Sequence, residues 1–458
     1  ERELHEPSHS WAIGSPKRVM AAPIAVGTID QAMLSHLRVR HAWMRAAFLM
    51  RSLLIIDEAH ASDPYMTEII ASLVDRHVSL GGYVLLLSAT LGEAMRARLL
   101  GRAPRPIEEA SAVPYPAAAA GASVEAVEAS VRRHTATEIL GHQECSQRVL
   151  EAVQAGSAVL WIRSTVADAI EDYQLFDQAD VPVMLHHSRW ADHDRRILDT
   201  RVIAAIGKEG ARGGRVVVAT QTCEQSLDID ADFLVTDACP ADVLIQRLGR
   251  LHRHERRRPA GFEAPRCLLI EPGELSRFLD ADGRPRGSTG QGWPWVYRAL
   301  LSVQQTLEWV RNRDAIVAPD DCRELVERAT HPDHLRHVSE KLGGRWPLHW
   351  QETYGQEAAQ RALGQAGLID WSRPYVDALV DEQHYTRLAE GPVTIEVDLI
   401  SPLDGSRIER MPVPASWLRR VPPDTPTVCE GQRISVGNVN MIYGEVGLVR
   451  AGCLTTFA

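Results

Sequence analysis

The chain has 458 residues, which points to two to four domains at roughly 150 residues each. It is 45% hydrophobic and 24% charged, a globular balance, and no apolar run approaches the ~18 residues that a membrane-crossing helix needs. A net charge of −10 excludes a polycation that coats nucleic acid indiscriminately, although local patches can still bind it.

In chain order, the first expectation is a parallel α/β domain over residues 1–110. The apolar runs APIAVGTI, SLLIID and GYVLLLSAT read as buried strands, too short for helices. Between the last two, Met66, Ile69, Ile70, Leu73 and Val74 have helical spacing, and Gly81-Gly82 closes the helix. Strand, helix, strand in this order implies a parallel sheet. Residues 111–145, rich in Ala, Pro, Gly and Ser, read as a linker. A second parallel-sheet domain follows over 146–270, with strands at Ala158–Ile162, Val183–His186, Arg215–Ala219 and Phe233–Thr236, and a further one at Arg266–Ile270. Residues 271–380 read as a helical connector, and 381–458 as a small β-rich C-terminal domain with Gly and Pro turns.

Seven scattered cysteines without a C-x-x-C pair argue for reduced thiols rather than disulfides or zinc. With no visible signal peptide, a cytoplasmic location is expected. Gln246 to Pro259 holds six arginines and one glutamate, which reads either as a solvated basic loop or as an anion-binding stretch. His186-His187 lacks a further ligand at fixed spacing, so packing and DNA contact are favoured over metal. Trp293 and Trp295 are expected to pack between domains rather than stack bases.

The chemistry concentrates at strand ends, where ligands of α/β sheets bind. LLIIDEAHASDPYM delivers Asp57, Glu58 and His60 directly after a buried strand. An aspartate there can hold Mg²⁺, and the adjacent glutamate can polarise an attacking water. Ser88-Ala89-Thr90 ends the next strand and brings two hydroxyls beside these acids. In the second domain, VVVATQTCEQSLDID ends a strand, and QRLGRLHR opens a helix with Arg250 and Arg253 on one face. Two such arginines facing another domain's phosphate site would stabilise charge on a γ-phosphate, as an arginine finger does. The alternative for the acids alone is an exposed acidic turn. Four motifs in this order point to a two-lobed nucleoside-triphosphate motor.

D-E-x-H, S-A-T, T-Q-x-x-E-Q-S-L-D-x-D and Q-R-x-G-R-x-x-R resemble the motifs of helicase superfamily 2. VGTIDQAML, DEAHASD, LWIRSTVADA and HSRW followed by Asp194-Arg195 are similar to one branch, the helicase–nuclease of type I CRISPR interference, over residues 10–270. The resemblance implies a partial first RecA-like lobe, a second RecA-like lobe, a helical connector and a small C-terminal domain. It implies ATP and Mg²⁺ as cofactors, single-stranded DNA as the track, and a Cascade-type surveillance complex as partner, with no membrane. By position, Asp57 would bind the metal and Glu58 would activate water. His60, Ser88 and Thr90 would couple hydrolysis to movement. Glu224, Ser226 and Asp228 would line the nucleotide cleft, and Gln246, Arg247, Arg250 and Arg253 would meet phosphates. Thr28, Asp30, Ser164, Thr165, Ser188 and Arg189 would lie along the DNA strand.

The sequence departs from that branch in several places. Ser164 and Trp190 stand where Asn and Phe are usual. No G-x-x-x-x-G-K-[ST] phosphate loop occurs anywhere in the chain, and the family's nuclease domain with its His-Asp pair is missing. With that loop and domain missing and Glu1 rather than Met at the start, the chain reads as the back half of a longer protein or a subunit needing its front half in trans. The expectation is therefore exposed apolar faces in the first lobe and little ATPase activity for this chain alone. Other readings are an RNA helicase or restriction-type translocase of the same superfamily, or a non-enzymatic docking remnant.

Overall fold

Leu53–Ile56 and Tyr83–Leu86, strands β1 and β2, pair in parallel, with Leu53 opposite Tyr83 and Ile56 opposite Leu86. The computed structural model describes residues 19–121, 123–129, 131–224, 227–286, 296–373, 386–388 and 391–452. It divides the chain into one unit of residues 1–127 and 326–389 and another of 128–325 and 390–458. Ser226, Trp293 and Trp295 lie outside the described residues.

In the first unit the expected β-α-β crossover is present. Its helix, Pro64–Ser79, starts where the Asp63 carboxylate accepts the Met66 amide at 2.8 Å, with Pro64 preset for the first turn. Met66, Ile69, Ile70 and Leu73 are buried on one face, as their spacing predicts. Helix Trp346–Gly367 packs on this helix at Gly364, where a β-carbon would stand 2.9 Å from the Tyr65 carbonyl oxygen. The helix Glu93–Leu99 receives the buried Glu327 carboxylate on its first amide, at 3.0 and 3.2 Å. A short hairpin, β3 (Ala117–Ala120) with β4 (Ser123–Ala126), ends this stretch. The strand expected in APIAVGTI does not form. Ile24 and Val26 are exposed, and Ile29–Met33 is helical. A strand needs a neighbour for its amides, and apolar composition alone does not supply one.

The second unit is built on a seven-stranded sheet. Its strands are β5 (Arg133–Leu140), β6 (Ala158–Ile162), β7 (Val183–His186), β8 (Arg215–Ala219), β9 (Phe233–Asp237), β10 (Arg266–Ile270) and β11 (Ala315–Ala318). The order is β11-β5-β10-β9-β6-β8-β7, all parallel except β11, which runs antiparallel to β5. β6 and β9 are buried at every residue, since helices cover both faces of a parallel sheet. Two expected boundaries move. The stretch read as linker contributes β5, and the stretch read as connector contributes β11 and helix Leu300–Arg311 to this unit, while helix Trp346–Gly367 belongs to the first.

The C-terminal residues form two antiparallel sheets. One pairs β12 (Val393–Ile400) with β13 (Arg407–Val413). The other is a meander of β14 (Thr427–Glu430), β15 (Arg433–Val436), β16 (Val439–Gly444) and β17 (Gly447–Arg450). They share a core of Leu399, Met411, Ile434, Met441, Tyr443 and Leu448 with Trp190, Ala191 and Leu198.

Candidate functional site

β1 ends at Ile56, and the Asp57 carboxylate stands exposed just beyond it, accepting the Glu58 amide at 2.9 Å. Glu58 has φ 51° and ψ 42°, a left-handed conformation that costs a non-glycine residue about 1 kcal/mol and concentrates at functional positions. That twist leads into the single turn Ala59–Ala61, where the Ala59 amide donates to the Leu87 carbonyl at 3.0 Å. His60 is thereby turned back to the end of β2, its Nδ1 2.9 Å from Ser88 Oγ and 3.4 Å from Glu58 Oε2. The Ser88 hydroxyl also accepts the Thr90 amide at 3.3 Å. Two acids, a histidine and a hydroxyl from adjacent strand ends thus form one connected group, with both carboxylates exposed. Hard carboxylate oxygens suit Mg²⁺, and Asp57 is placed to offer one. Asp63, in the same motif, serves as the helix cap instead.

In the second unit, Glu224, Asp228 and Gln246 are among the described residues. Glu224, expected to line the nucleotide cleft, is buried: its carboxylate accepts from Arg247 Nε at 2.8 Å and Nη2 at 2.6 Å. Arg247 is 0% exposed and its remaining N–H groups go to Thr236 and to Tyr297 Oη at 2.6 Å. Although burial opposes its charge, the paired Glu224 carboxylate holds the guanidinium protonated. Arg247 therefore differs from the expected phosphate contact: it anchors the Glu224 turn to β9. Arg250 donates to the Glu224 carbonyl at 2.9 Å and the Leu227 carbonyl at 3.0 Å, and so braces the same segment. The exposed Asp228 pairs with Arg253 at 2.8 Å and His254 at 2.9 Å. Gln246 is half-buried in the last turn of helix Ala241–Leu248. That helix ends at Leu248, so QRLGRLHR closes a helix rather than opening one, and Arg250 and Arg253 sit beyond it, not on a shared helical face.

The expected strand-contact residues fall into two groups. Thr28 and Ser188 are exposed. Asp30 is held by Arg387 through two bonds of 2.9 Å, and that hydrogen-bonded guanidinium lowers its pKa. Thr165 caps helix Val166–Gln178, accepting the Asp168 amide at 3.1 Å. Ser164 is buried, its amide donating to Asp237 Oδ2 at 2.6 Å, and its Oγ has no partner among the described residues. Arg189 lies half-buried with its guanidinium 4.8 Å over the Trp417 ring. His186 bonds Asp199 and Thr222, each at 2.7 Å.

Charged networks that sequence reading missed hold these motifs. Arg163, beside Ser164, pairs with Asp237 at 2.9 Å and with Asp172, next to a cavity of about 410 Å³ also lined by His142 and Glu171. Arg256 and Arg258 of the basic run pair with Asp230 at 2.8 and 2.7 Å, and Arg258 with Asp232 at 2.8 Å. Both acids are buried, and the amide of Arg253 donates to Asp230 at 2.8 Å. Neither offered reading of that run covers these two arginines: they are internal counter-ions. Only the D-x-D spacing of Asp230 and Asp232 hinted at it.

A family model for the C-terminal part of the CRISPR-associated nuclease/helicase Cas3 matches residues 155–256. The Cas3 endonuclease/helicase of Escherichia coli K12 is 32% identical over 456 aligned residues, covering 89% of this chain and 49% of that protein. The chain is a relative of the Cas3 helicase–nucleases. The crystal structure of T. fusca Cas3 with AMPPNP matches 96% of this chain and 58% of its own, with TM-score 0.79 at 25% identity. A chain of a CRISPR RNA-guided surveillance complex in a pre-nicking state matches 86% of this chain and 50% of its own, with TM-score 0.66 at 28% identity. This chain thus spans about half the length of the Cas3 relatives it matches, and over that span its fold matches theirs: RecA-like α/β lobes followed by small β sheets at the C-terminus. Among the described residues, no helix is long and apolar enough to cross a membrane.

Proposed function

We propose that the chain is the motor portion of an ATP-dependent helicase of CRISPR interference that pulls single-stranded DNA. The observation that carries this is the connected group at the ends of β1 and β2, in which a left-handed Glu58 and His60 tie the acids to Ser88. Bound Mg²⁺ and ATP would supply the metal-polarised phosphoanhydride bond. Asp57 would hold the metal by a carboxylate oxygen, Glu58 would orient water and take its proton, and His60 would relay their state to Ser88 and Thr90. In the second unit, Arg253 and Arg250 are the cations for phosphate charge, Glu224, Asp228 and Gln246 shape the nucleotide-facing turn, and Arg247 is its buried anchor. Thr28 and Ser188, with the arginine of Arg189, suit backbone phosphates without reading sequence. The surveillance-complex match supports a complex of that type as the partner, and a cytoplasmic setting goes with it.

β1 and β2 also support a role for further polypeptide. Leu53, Ile55, Tyr83 and Leu85 are 60%, 54%, 75% and 45% exposed, one apolar face of a two-stranded sheet. Two strands do not make a stable sheet without cover. A segment supplying that cover and the phosphate-cradling loop completes the nucleotide site, and this chain alone hydrolyses ATP feebly. In the complete protein, single-stranded DNA stimulates ATPase activity, and Glu58→Gln lowers kcat by about 10²–10⁴-fold, the usual worth of a general base, with the fold intact. Stronger stimulation by RNA than by DNA favours the other superfamily 2 reading. Unchanged kcat in Glu58→Gln overturns the assignment.

A further inference from the structure

The HSRW segment and the Asp194 that follows it do more than offer Ser188 and Arg189 to a strand. His187 is fully buried. Its Nε2–H donates to the Val446 carbonyl at 3.0 Å, and its Nδ1 accepts the Arg189 amide at 3.1 Å. A ring that donates on one side and accepts on the other is neutral, and burial pushes its pKa down to about 3. The Arg189 carbonyl accepts the Leu448 amide at 2.8 Å. Both backbone polar groups of Arg189 are therefore committed, one of them through His187, to the turn into β17.

The contact continues along the segment. The Ala191 amide donates to Tyr443 Oη at 3.2 Å, and Tyr443 in turn donates to Asp194, which is 0% exposed and also accepts from the Ser401 hydroxyl. Trp190 stacks on His187 and meets Tyr443 edge-on at 6.0 Å. The two cores interlock: Trp190 enters the C-terminal core, while Val446 and Val449 enter the core of the seven-stranded sheet. Gly447, at φ +75°, admits this approach. A β-carbon there would stand 2.7 Å from His187 Cε1 and 2.9 Å from the Arg189 carbonyl oxygen.

We propose that residues 187–194 are the seat of the C-terminal β strands, and that this seating sets the position of Ser188 and Arg189, so that single-strand binding and seating are one coupled equilibrium. This deepens the proposed function and rests on its assignment of Ser188 and Arg189 to the strand. Tyr443, Asp194 and His187 are positioning residues, acting through the backbone of Arg189. Arg189 itself spans the seam, since its guanidinium lies over Trp417 of the C-terminal strands' region. Coupling of this kind is reciprocal: whatever factor seating adds to strand affinity, the strand adds to seating.

The test uses the chain as it stands and a fluorescein-labelled oligo-dT. Tyr443→Phe keeps the ring and removes the hydroxyl that serves Ala191 and Asp194. It is expected to weaken binding about tenfold, the size of a lost hydrogen bond to a charged group, at a temperature where circular dichroism shows both proteins folded. In the wild type the oligonucleotide slows proteolysis within residues 391–452; in Tyr443→Phe this protection is lost. Gly447→Ala, which crowds the seat directly, shows the same pattern if it folds. Equal affinities of wild type and Tyr443→Phe overturn the proposal. So does weakened binding without oligonucleotide-dependent protection in the wild type, which marks a purely structural role. If the wild type binds no oligonucleotide, the strand-binding reading itself fails and takes this inference with it.

Discussion

β1 and β6 are similar in sequence, LLII against AVLWI, and occupy the same kind of place ahead of a functional turn. Every residue of β6 is buried, whereas β1 alternates and leaves Leu53 and Ile55 in solvent. The difference lies in company. β6 has β8 and β9 on its two edges and helices on both faces, while β1 has β2 alone among the described residues. Continuous apolar strands state a demand for two covered faces. Whether the demand is met depends on what packs against the strand, and among the described residues it is met on one face in the first unit.

The largest effect that sharpens this comparison is in the second unit. Trp161 is fully buried in β6, and its indole N–H donates to Asp172 at 2.7 Å. Trp161→Ala is expected to cost about 3–5 kcal/mol in urea unfolding. Ile55→Thr, at an exposed β1 position, is expected to change stability by less than about 0.5 kcal/mol while lowering binding of a hydrophobic dye. Equal costs at the two sites break the comparison.

Charges show a similar contrast. Arg247→Ala strands Glu224 in the interior and is expected to destabilise by about 3–5 kcal/mol. Arg253→Ala opens an ion pair whose two side chains are 42% and 51% exposed, and is expected to cost under about 1 kcal/mol. A small loss in Arg247→Ala would mean that it is not the anchor of its turn.

A further contrast concerns pH dependence. His187 titrates at about 3 folded against 6.5 as a free side chain, so the unfolded chain binds its proton first as pH falls. The stability from neutral His187 is complete above pH 6.5 and drains as pH drops toward 3. From pH 6.5 to 5 that amounts to about 1.6 kcal/mol, the slope rising toward about 1.36 kcal/mol per unit as the unfolded histidine becomes protonated. His187→Gln, which keeps one donor and one acceptor, is expected to flatten the slope of unfolding free energy against pH by about that amount. An unaltered slope would place the acid sensitivity elsewhere.

Much of the fold was legible because it is local. The strands Ala158–Ile162, Val183–His186 and Arg215–Ala219 and the buried face of helix Pro64–Ser79 follow from runs and periods a few residues long. The grouping of Asp57, Glu58, His60 and Ser88 was legible for the same reason: two adjacent parallel strands bring their carboxyl ends together. APIAVGTI does not form a strand, and among the described residues no strand stands beside it; composition carries no record of partners.

The sequence by itself determined which segments are apolar enough to be strands and which polar residues stand at their ends, since both depend on neighbours along the chain. Only the tertiary structure decided that Arg247 is an anchor, that Arg256 and Arg258 neutralise Asp230 and Asp232, that β11 returns to the edge of β5, and that Trp190 belongs to the C-terminal core. Those outcomes turn on which charge or surface lies within a few ångströms through space, and Coulomb attraction and burial respond to that distance rather than to separation in sequence.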